Sequence, residues 1–161
     1  MQENVSRILV AVLEGNLGLR ISDILSLRLS DIVRDGDRYR LEITEQKTKK
    51  KRVFTVPLVI QQYIENYCLR NGLEKTERIF DLTERTINKQ LALVCDYLGF
   101  EGIRTHSFRK WYATEIYKNN GYDITLVQRL LQHSSAAITQ RYIGIEPQRI
   151  EEAIEGHTQL L

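Results

Sequence analysis

Apolar residues recur at helical spacing near the start of the chain. In "SRILVAVLEGN" they predict an amphipathic helix from about Val5 to Glu14, with Ile8, Leu9, Val12 and Leu13 on one side. In "LGLRISDILSLRL" a glycine turn comes first, then Ser22 and Asp23 near a helix start, and Ile21, Ile24, Leu25 and Leu29 continue the apolar stripe. The period then changes. "RDGDR" is a turn, because Asp35-Gly36 suits positions with positive φ. "RYRLEITEQ" alternates Tyr39, Leu41 and Ile43 against Arg40, Glu42 and Thr44, and "RVFTVP" alternates until Pro57 ends it. A period of two predicts strands, hence a β-hairpin or a small three-stranded sheet with a basic run at its joint. Helical spacing returns in "LVIQQYIENYCLRNG", in "TERTINKQLALVCDYLGF" from Thr83 to Gly99, and in "THSFRKWYATEIYKNNG" up to Gly121. "DITLVQRLLQH", "SSAAITQRYIG" and "PQRIEEAIEG" follow, with Pro147 in a first turn where proline is tolerated. The pattern holds no repeat, low-complexity segment or linker. It predicts one domain over residues 1–161, mostly α with a small antiparallel sheet (α+β), closed by a tail helix over 146–161.

Composition narrows the class. The chain has 161 residues, 42% hydrophobic and 27% charged, which describes a soluble globular domain with a core of its own. Its longest apolar runs, such as "ILVAVL", are too short to span a bilayer, and no signal peptide opens the chain. Cys68 and Cys95 form no CxxC or Cys/His pattern, so two reduced core cysteines are expected and no structural zinc. The net charge of +2 decides little. Its distribution matters more: "KTKKKR" puts five cations into six residues, which suits a phosphate backbone as well as a solvated turn.

Three further stretches carry chemistry. In "THSFRK", His106 and Arg109 are three apart and so share a helix face, and Thr105 or Ser107 can cap that helix. A cation, an imidazole and a helix N-terminus together favour an oxyanion. In "GLRISDIL", Arg20 precedes a short helix and Asp23 lies close enough to bridge its guanidinium or to orient a neighbour; an arginine held by a carboxylate is a preorganised fork for two oxygens. In "HSSAAITQRY", His133 and Tyr142 would sit about 2.5 turns apart on one continuous helix, on opposite sides. Ser134 and Ser135 supply a break and a new N-cap, so a bent arrangement can bring the two rings toward one point. Each stretch alone also fits a surface face or a capping residue.

Their joint order carries more. "GLRISDILSLRLSDI", "EQKTKKKRVFTVPL", "THSFRKWYAT" and "LLQHSSAAITQRYI" stand in the order and at the spacing of the tyrosine recombinase (phage integrase) family, and the chain resembles that family's catalytic domain over nearly its whole length. The resemblance implies that Tyr142 attacks a DNA phosphodiester and forms a 3′-phosphotyrosine, with a 5′-hydroxyl released. It implies that Arg20 and Arg109 hold the non-bridging oxygens, that His106 assists proton transfer, and that His133 hydrogen-bonds the phosphate. A hairpin lysine would protonate the leaving oxygen. Lys47 fits that role best, and Lys49 remains open because a strand continued to Lys49 would put both on one face. Asp23 would support Arg20, while Lys49, Lys50, Lys51, Arg52, Thr105, Ser107 and Lys110 would contact DNA.

The same resemblance implies no metal and no other cofactor, double-stranded DNA as partner, and a homotetramer on DNA in the full-length protein. Relatives carry an N-terminal DNA-clamping domain, so this chain reads as a catalytic-domain piece, monomeric by itself, from a cytoplasmic, nucleoid-associated protein. Phe108 and Gln132 stand where many relatives have leucine and glycine. A type IB topoisomerase, a catalytically silent DNA-binding module and a helical protein unrelated to nucleic acid are the alternative readings.

Overall fold

The computed structural model describes residues 2–144 and 154–156. The chain divides into two compact units, Met1–Arg109 and Lys110–Leu161.

In the first unit, helix α1 runs Gln2–Leu17. Leu9, Leu13 and Leu17 follow one another at one-turn spacing and are buried together with Val10. Ile8, expected on the buried side, is 58% exposed, because the arc that meets the core is centred on Leu9 and Val10. Gly18 then takes φ +56, which glycine adopts without a Cβ penalty, and the chain reverses into α2, Ile21–Leu25. A 3-10 turn at Leu29–Asp31 leads into the sheet.

The sheet has three antiparallel strands in the order β1 (Ile32–Asp35), β2 (Arg38–Thr44), β3 (Lys51–Val56). Gly36, at φ +63, makes the first turn, as Asp35-Gly36 predicts. Strand β2 puts Tyr39, Leu41 and Ile43 toward the core, opposite Val56, Phe54 and Arg52 of β3. The same alternation that buries Phe54 and Val56 therefore buries an arginine. Strand β2 stops at Thr44, so the regular strand that would have given Lys47 and Lys49 one common face does not exist. The Glu45 N–H donates to the Lys50 carbonyl and the Lys49 N–H to the Glu45 carbonyl, both at 2.9 Å, closing a loop that lifts Lys47 out. Helices α3 (Leu58–Arg70) and α4 (Glu84–Leu98) complete the unit's core with Ile64, Cys68 and Ile87. Thr83 caps α4 by accepting from the Thr86 N–H, and Gly99 ends it at φ +71, both where the sequence puts them.

Helix α5 spans Thr105–Asn119 and begins in the first unit. In the second unit, α6 (Ile124–Leu131) is capped by Asp123 and α7 (Ala136–Ile143) by Ser135, which accepts from the Ile138 N–H. Ala113, Tyr117, Val127, Leu131 and Ile143 form this unit's own apolar cluster. The expected tail over 146–161 lies outside the described residues except for 154–156, which are helical. Among the described residues no helix is long and apolar enough to cross a membrane.

Candidate active site

The sequence-predicted site residues fall into two groups, one in each unit. The first group is built around the turn from Leu17 to Arg20. Arg20 sits at the N-terminus of α2, its side chain 22% exposed, and its Nη1 lies 2.6 Å from Oε2 of Glu45. Glu45 is fully buried just past the end of β2. Burial raises its pKa, but the hydrogen bond from Thr48 Oγ1 (2.6 Å), the contact with Arg20 and the charges of Arg20 and Arg52 outweigh that and hold the carboxyl below its ordinary value. It is thus an anion that steers Arg20, and this influence is lost only as pH falls through its lowered pKa.

Asp23, also buried, does not pair with Arg20 in the way the sequence suggests. Its Oδ1 accepts from the Gln46 N–H at 2.7 Å. The effect on the site is still direct, because that bond ties α2 to the loop carrying Lys47. Glu45 ties the same loop to Arg20, so two buried carboxylates couple the Arg20 turn to the lysine loop. The sequence does not single out Glu45, because a carboxylate beside a basic run reads as surface charge.

Arg109, buried at 4% exposure in the second turn of α5, donates through Nη1 to the Gly18 carbonyl. Arg20 and Arg109 are thereby held on the same short turn. His106, one turn earlier on α5, is exposed and lines a polar cleft with Glu84, Asn88 and Arg104. Of the two expected caps, Thr105 lies within the helix and is buried, whereas Ser107 Oγ accepts from the Arg104 N–H at 3.1 Å and closes the first turn.

The residues expected to touch DNA separate cleanly. Lys47, Lys49, Lys50 and Lys51 are exposed. Arg52 is not: at 3% exposure it donates to the Gly18 and Leu17 carbonyls (3.3 and 3.4 Å), lies 3.6 Å from Glu45 Oε1 and stacks over Phe54 at 4.6 Å. Arg52 and Thr105 are therefore core residues of this unit rather than surface contacts, a correction that the strand alternation around Arg52 explains.

One further acid lies close by. Glu14 of α1 is 1% exposed, and neither carboxylate oxygen has a hydrogen-bond partner among the described residues. Burial pushes its pKa up to about 8, against the lowering pull of Arg109 and with a smaller push from Glu84. The acid is neutral over most of the physiological range. A carboxyl whose folded pKa exceeds its unfolded 4.5 favours the fold fully below pH 4.5, and that contribution is lost as pH rises toward 8. The whole gap corresponds to at most about 5 kcal/mol. Glu14→Gln should therefore melt above the parent chain by a margin that widens between pH 5 and 9. Thermal melts across that range check it, and a margin independent of pH would contradict the titration of Glu14.

The second group lies in the second unit. His133 follows α6 directly, where Gln132 takes the left-handed conformation at φ +55 that ends the helix. This is why glycine suits that position, and why glutamine there carries some backbone strain. Tyr142 is in the last turn of α7. The break at Ser134-Ser135 does what the spacing requires: the rings of His133 and Tyr142 meet edge to face, centroids 5.4 Å apart and planes at 83°. His133 Nδ1 lies 3.1 Å from Thr139 Oγ1, which holds the imidazole by one edge. Lys110 is exposed, and its Nζ lies 3.6 Å from where a Cβ on Gly144 would stand, so it brings a cation to the end of the tyrosine's helix. Among the described residues no three His, Cys, Asp or Glu side chains gather as a metal site requires.

Comparison with known proteins places the chain in a family. The model of the phage integrase family matches residues 3–149. A probable integrase/recombinase YoeC of Bacillus subtilis is 37% identical over 139 residues, covering 81% of this chain and 73% of that protein. The tyrosine recombinase XerA of Pyrococcus furiosus is 29% identical, covering 92% of this chain and 53% of that protein. Among solved structures, the XerH site-specific recombinase in a post-cleavage complex with its difH substrate superposes with a TM-score of 0.72 at 24% identity, over 92% of this chain and 44% of that one. The catalytic domain of bacteriophage HP1 integrase gives 0.62 at 22%, over 92% of this chain and 80% of that one. The chain thus spans about half the length of XerA, and its mostly helical fold with one small antiparallel sheet is that of the tyrosine recombinase catalytic domain. A family match over nearly all of the chain, together with a relative 37% identical, means that it belongs to the phage integrase family, the tyrosine recombinases.

Proposed function

We propose that the chain breaks and rejoins DNA strands at specific sites through Tyr142, without a metal ion or ATP. The phenol oxygen of Tyr142 attacks a phosphodiester, a new P–O bond forms and the bond to the 5′-oxygen breaks. The phenolic proton leaves toward a neighbouring base, with His106 as the assisting group, and the 5′-oxygen takes a proton from Lys47 on the hairpin loop. Arg20 and Arg109 hold the non-bridging oxygens, where charge gathers in the transition state, and His133 adds a hydrogen bond. Fixed cations in such positions each contribute several kcal/mol. A phosphotyrosine ester conserves the energy of the bond it replaces, so rejoining to a second strand needs no external energy source. Lys49, Lys50, Lys51, Ser107 and Lys110 supply backbone contacts. In the full-length protein, a tetramer assembles on DNA.

One observation carries this reading: Arg20 and Arg109, far apart in sequence, are fixed on a single turn by Glu45 and the Gly18 carbonyl. The test is a pool of nicked duplexes with randomised sequence around the nick, incubated with the chain and run on a denaturing gel. A nick beside the cleaved phosphate lets the short fragment escape and traps the adduct. The expected result is covalent protein–DNA adduct, with the modified peptide containing Tyr142. Salt-dependent duplex binding with no adduct would support a silent DNA-binding module instead, and an adduct mapping to another residue would remove Tyr142 from the role of nucleophile.

A further inference from the structure

Arg52 is the one cation of the basic run that the chain buries, and its surroundings give it a definite task. Its guanidinium reaches the carbonyls of Leu17 and Gly18 at 3.4 and 3.3 Å, and Glu45 Oε1 at 3.6 Å. The other oxygen of Glu45 lies 2.6 Å from Arg20 Nη1, and the Gly18 carbonyl also receives Arg109. Two of these links, through the Gly18 carbonyl and through Glu45, therefore lead one step on to Arg109 and Arg20 of the candidate site. The Phe54 ring under the guanidinium, 4.6 Å away, fixes the plane of the fork. A solvated DNA contact would need none of this, and a charge placed only for stability has no reason to share Glu45 with Arg20 and the Gly18 carbonyl with Arg109.

We propose that Arg52, acting with Glu45, is a positioning residue that sets the Leu17–Arg20 turn so that Arg20 and Arg109 present their guanidinium groups to one phosphate. This deepens the proposed function and rests on it. Glu45 alone would draw Arg20 toward the sheet. Arg52 partly neutralises Glu45 and anchors the turn from the other side, so the direction of Arg20 is decided by a three-charge balance within a buried setting where geometry is costly to change. The fork is essential, because an ammonium at position 52 cannot span two carbonyls and a carboxylate while stacked on a ring.

The test separates binding from chemistry. Using the duplex recovered from the nicked pool, single-turnover cleavage is measured at saturating DNA, alongside Kd and its salt dependence, for the parent chain, Arg52→Lys, Glu45→Gln, Arg20→Lys and the double variant Arg52→Lys/Arg20→Lys. Arg52→Lys should lower the saturated cleavage rate by about 10- to 100-fold, the range that a misplaced reacting group costs, with Kd changed less than about threefold and the salt slope unchanged. Glu45→Gln, which keeps the shape, should show the same pattern more weakly, and it carries the test if Arg52→Lys does not fold. The double variant should lose little more than Arg20→Lys alone, because the brace then has nothing to aim. An unchanged saturated rate in folded Arg52→Lys, losses that multiply in the double variant, or a weaker Kd with a reduced salt slope would each overturn the proposal while leaving the proposed function intact. Absence of adduct from the parent chain would overturn both.

Discussion

Tyr142→Phe is expected to lower formation of the covalent DNA adduct by at least about 10⁴-fold while leaving duplex affinity within about twofold of the parent chain. The substitution removes a single oxygen. The ring that remains keeps its edge-to-face contact with His133, 5.4 Å between centroids, and its packing against the cluster of Ala113, Val127 and Ile143. The cost to the fold is then that of one hydroxyl, about 1 kcal/mol, and the melting temperature should fall by only a few degrees. The reaction, by contrast, loses its nucleophile. A 10⁴-fold drop is about 5.4 kcal/mol in barrier, far more than the structural change can supply, so the two effects cannot be confused. A time course on the nicked duplex, read on a denaturing gel beside a mobility-shift titration, measures both. Adduct accumulating at the parent's rate would show that another residue attacks.

Much of the fold is visible in hydrophobic period and punctuation. Thr83 and Gly99 bound α4 as the sequence suggests, and Ser135 and Gly144 do the same for α7. These boundaries are local, set by a hydroxyl that caps and a glycine that accepts positive φ, and local chemistry is legible along a chain. The break between His133 and Tyr142 is legible for the same reason. The contact of their rings is not, since it depends on how α6 and α7 pack.

Two departures, Arg52 and Glu14, share one cause: the type of charge argues for the surface and its position argues for burial. Arg52 belongs to a basic run, yet it alternates with Phe54 and Val56, and the alternation predicts its burial. Glu14 lies four residues after Val10 on the buried arc of α1, so helical period places it inside. Composition argues that such residues stay outside, and period argues that they do not. Period prevailed in both cases. For Arg52 the burial is offset by two carbonyls and Glu45, and for Glu14 by retention of the proton. The pairing of Arg20 with Glu45 rather than Asp23 had no sequence signal at all. It follows from the loop after β2 folding back on α2, a tertiary event fixed by the Asp23–Gln46 bond.

Arg109→Ala should be the second most severe change, and it should differ in kind from Arg20→Ala. Both remove a cation from the phosphate and should slow cleavage at saturating DNA by about 10²- to 10³-fold, the usual cost of one preorganised donor. Arg20 is partly exposed, and without it Glu45 keeps Thr48 and Arg52, so Arg20→Ala should melt within a few degrees of the parent. Arg109 is buried, and its loss leaves a void in α5 and removes one of the two guanidinium groups on the Gly18 carbonyl. It also removes the positive charge that lowers the pKa of Glu14. Freed of that pull, Glu14 should hold its proton to higher pH than in the parent, so the pH-dependent loss of stability should extend further into the alkaline range. Arg109→Ala should therefore lose rate and melting temperature together, by about 2–4 kcal/mol in stability. Arg109→Lys restores the charge without the fork, so it should return the alkaline part of the stability profile toward the parent's while recovering little of the rate. Melts from pH 5 to 9 on all three variants, paired with single-turnover cleavage, separate these outcomes. Equal stability losses in Arg20→Ala and Arg109→Ala would mean that burial of Arg109 on the Gly18 turn does not hold this unit together.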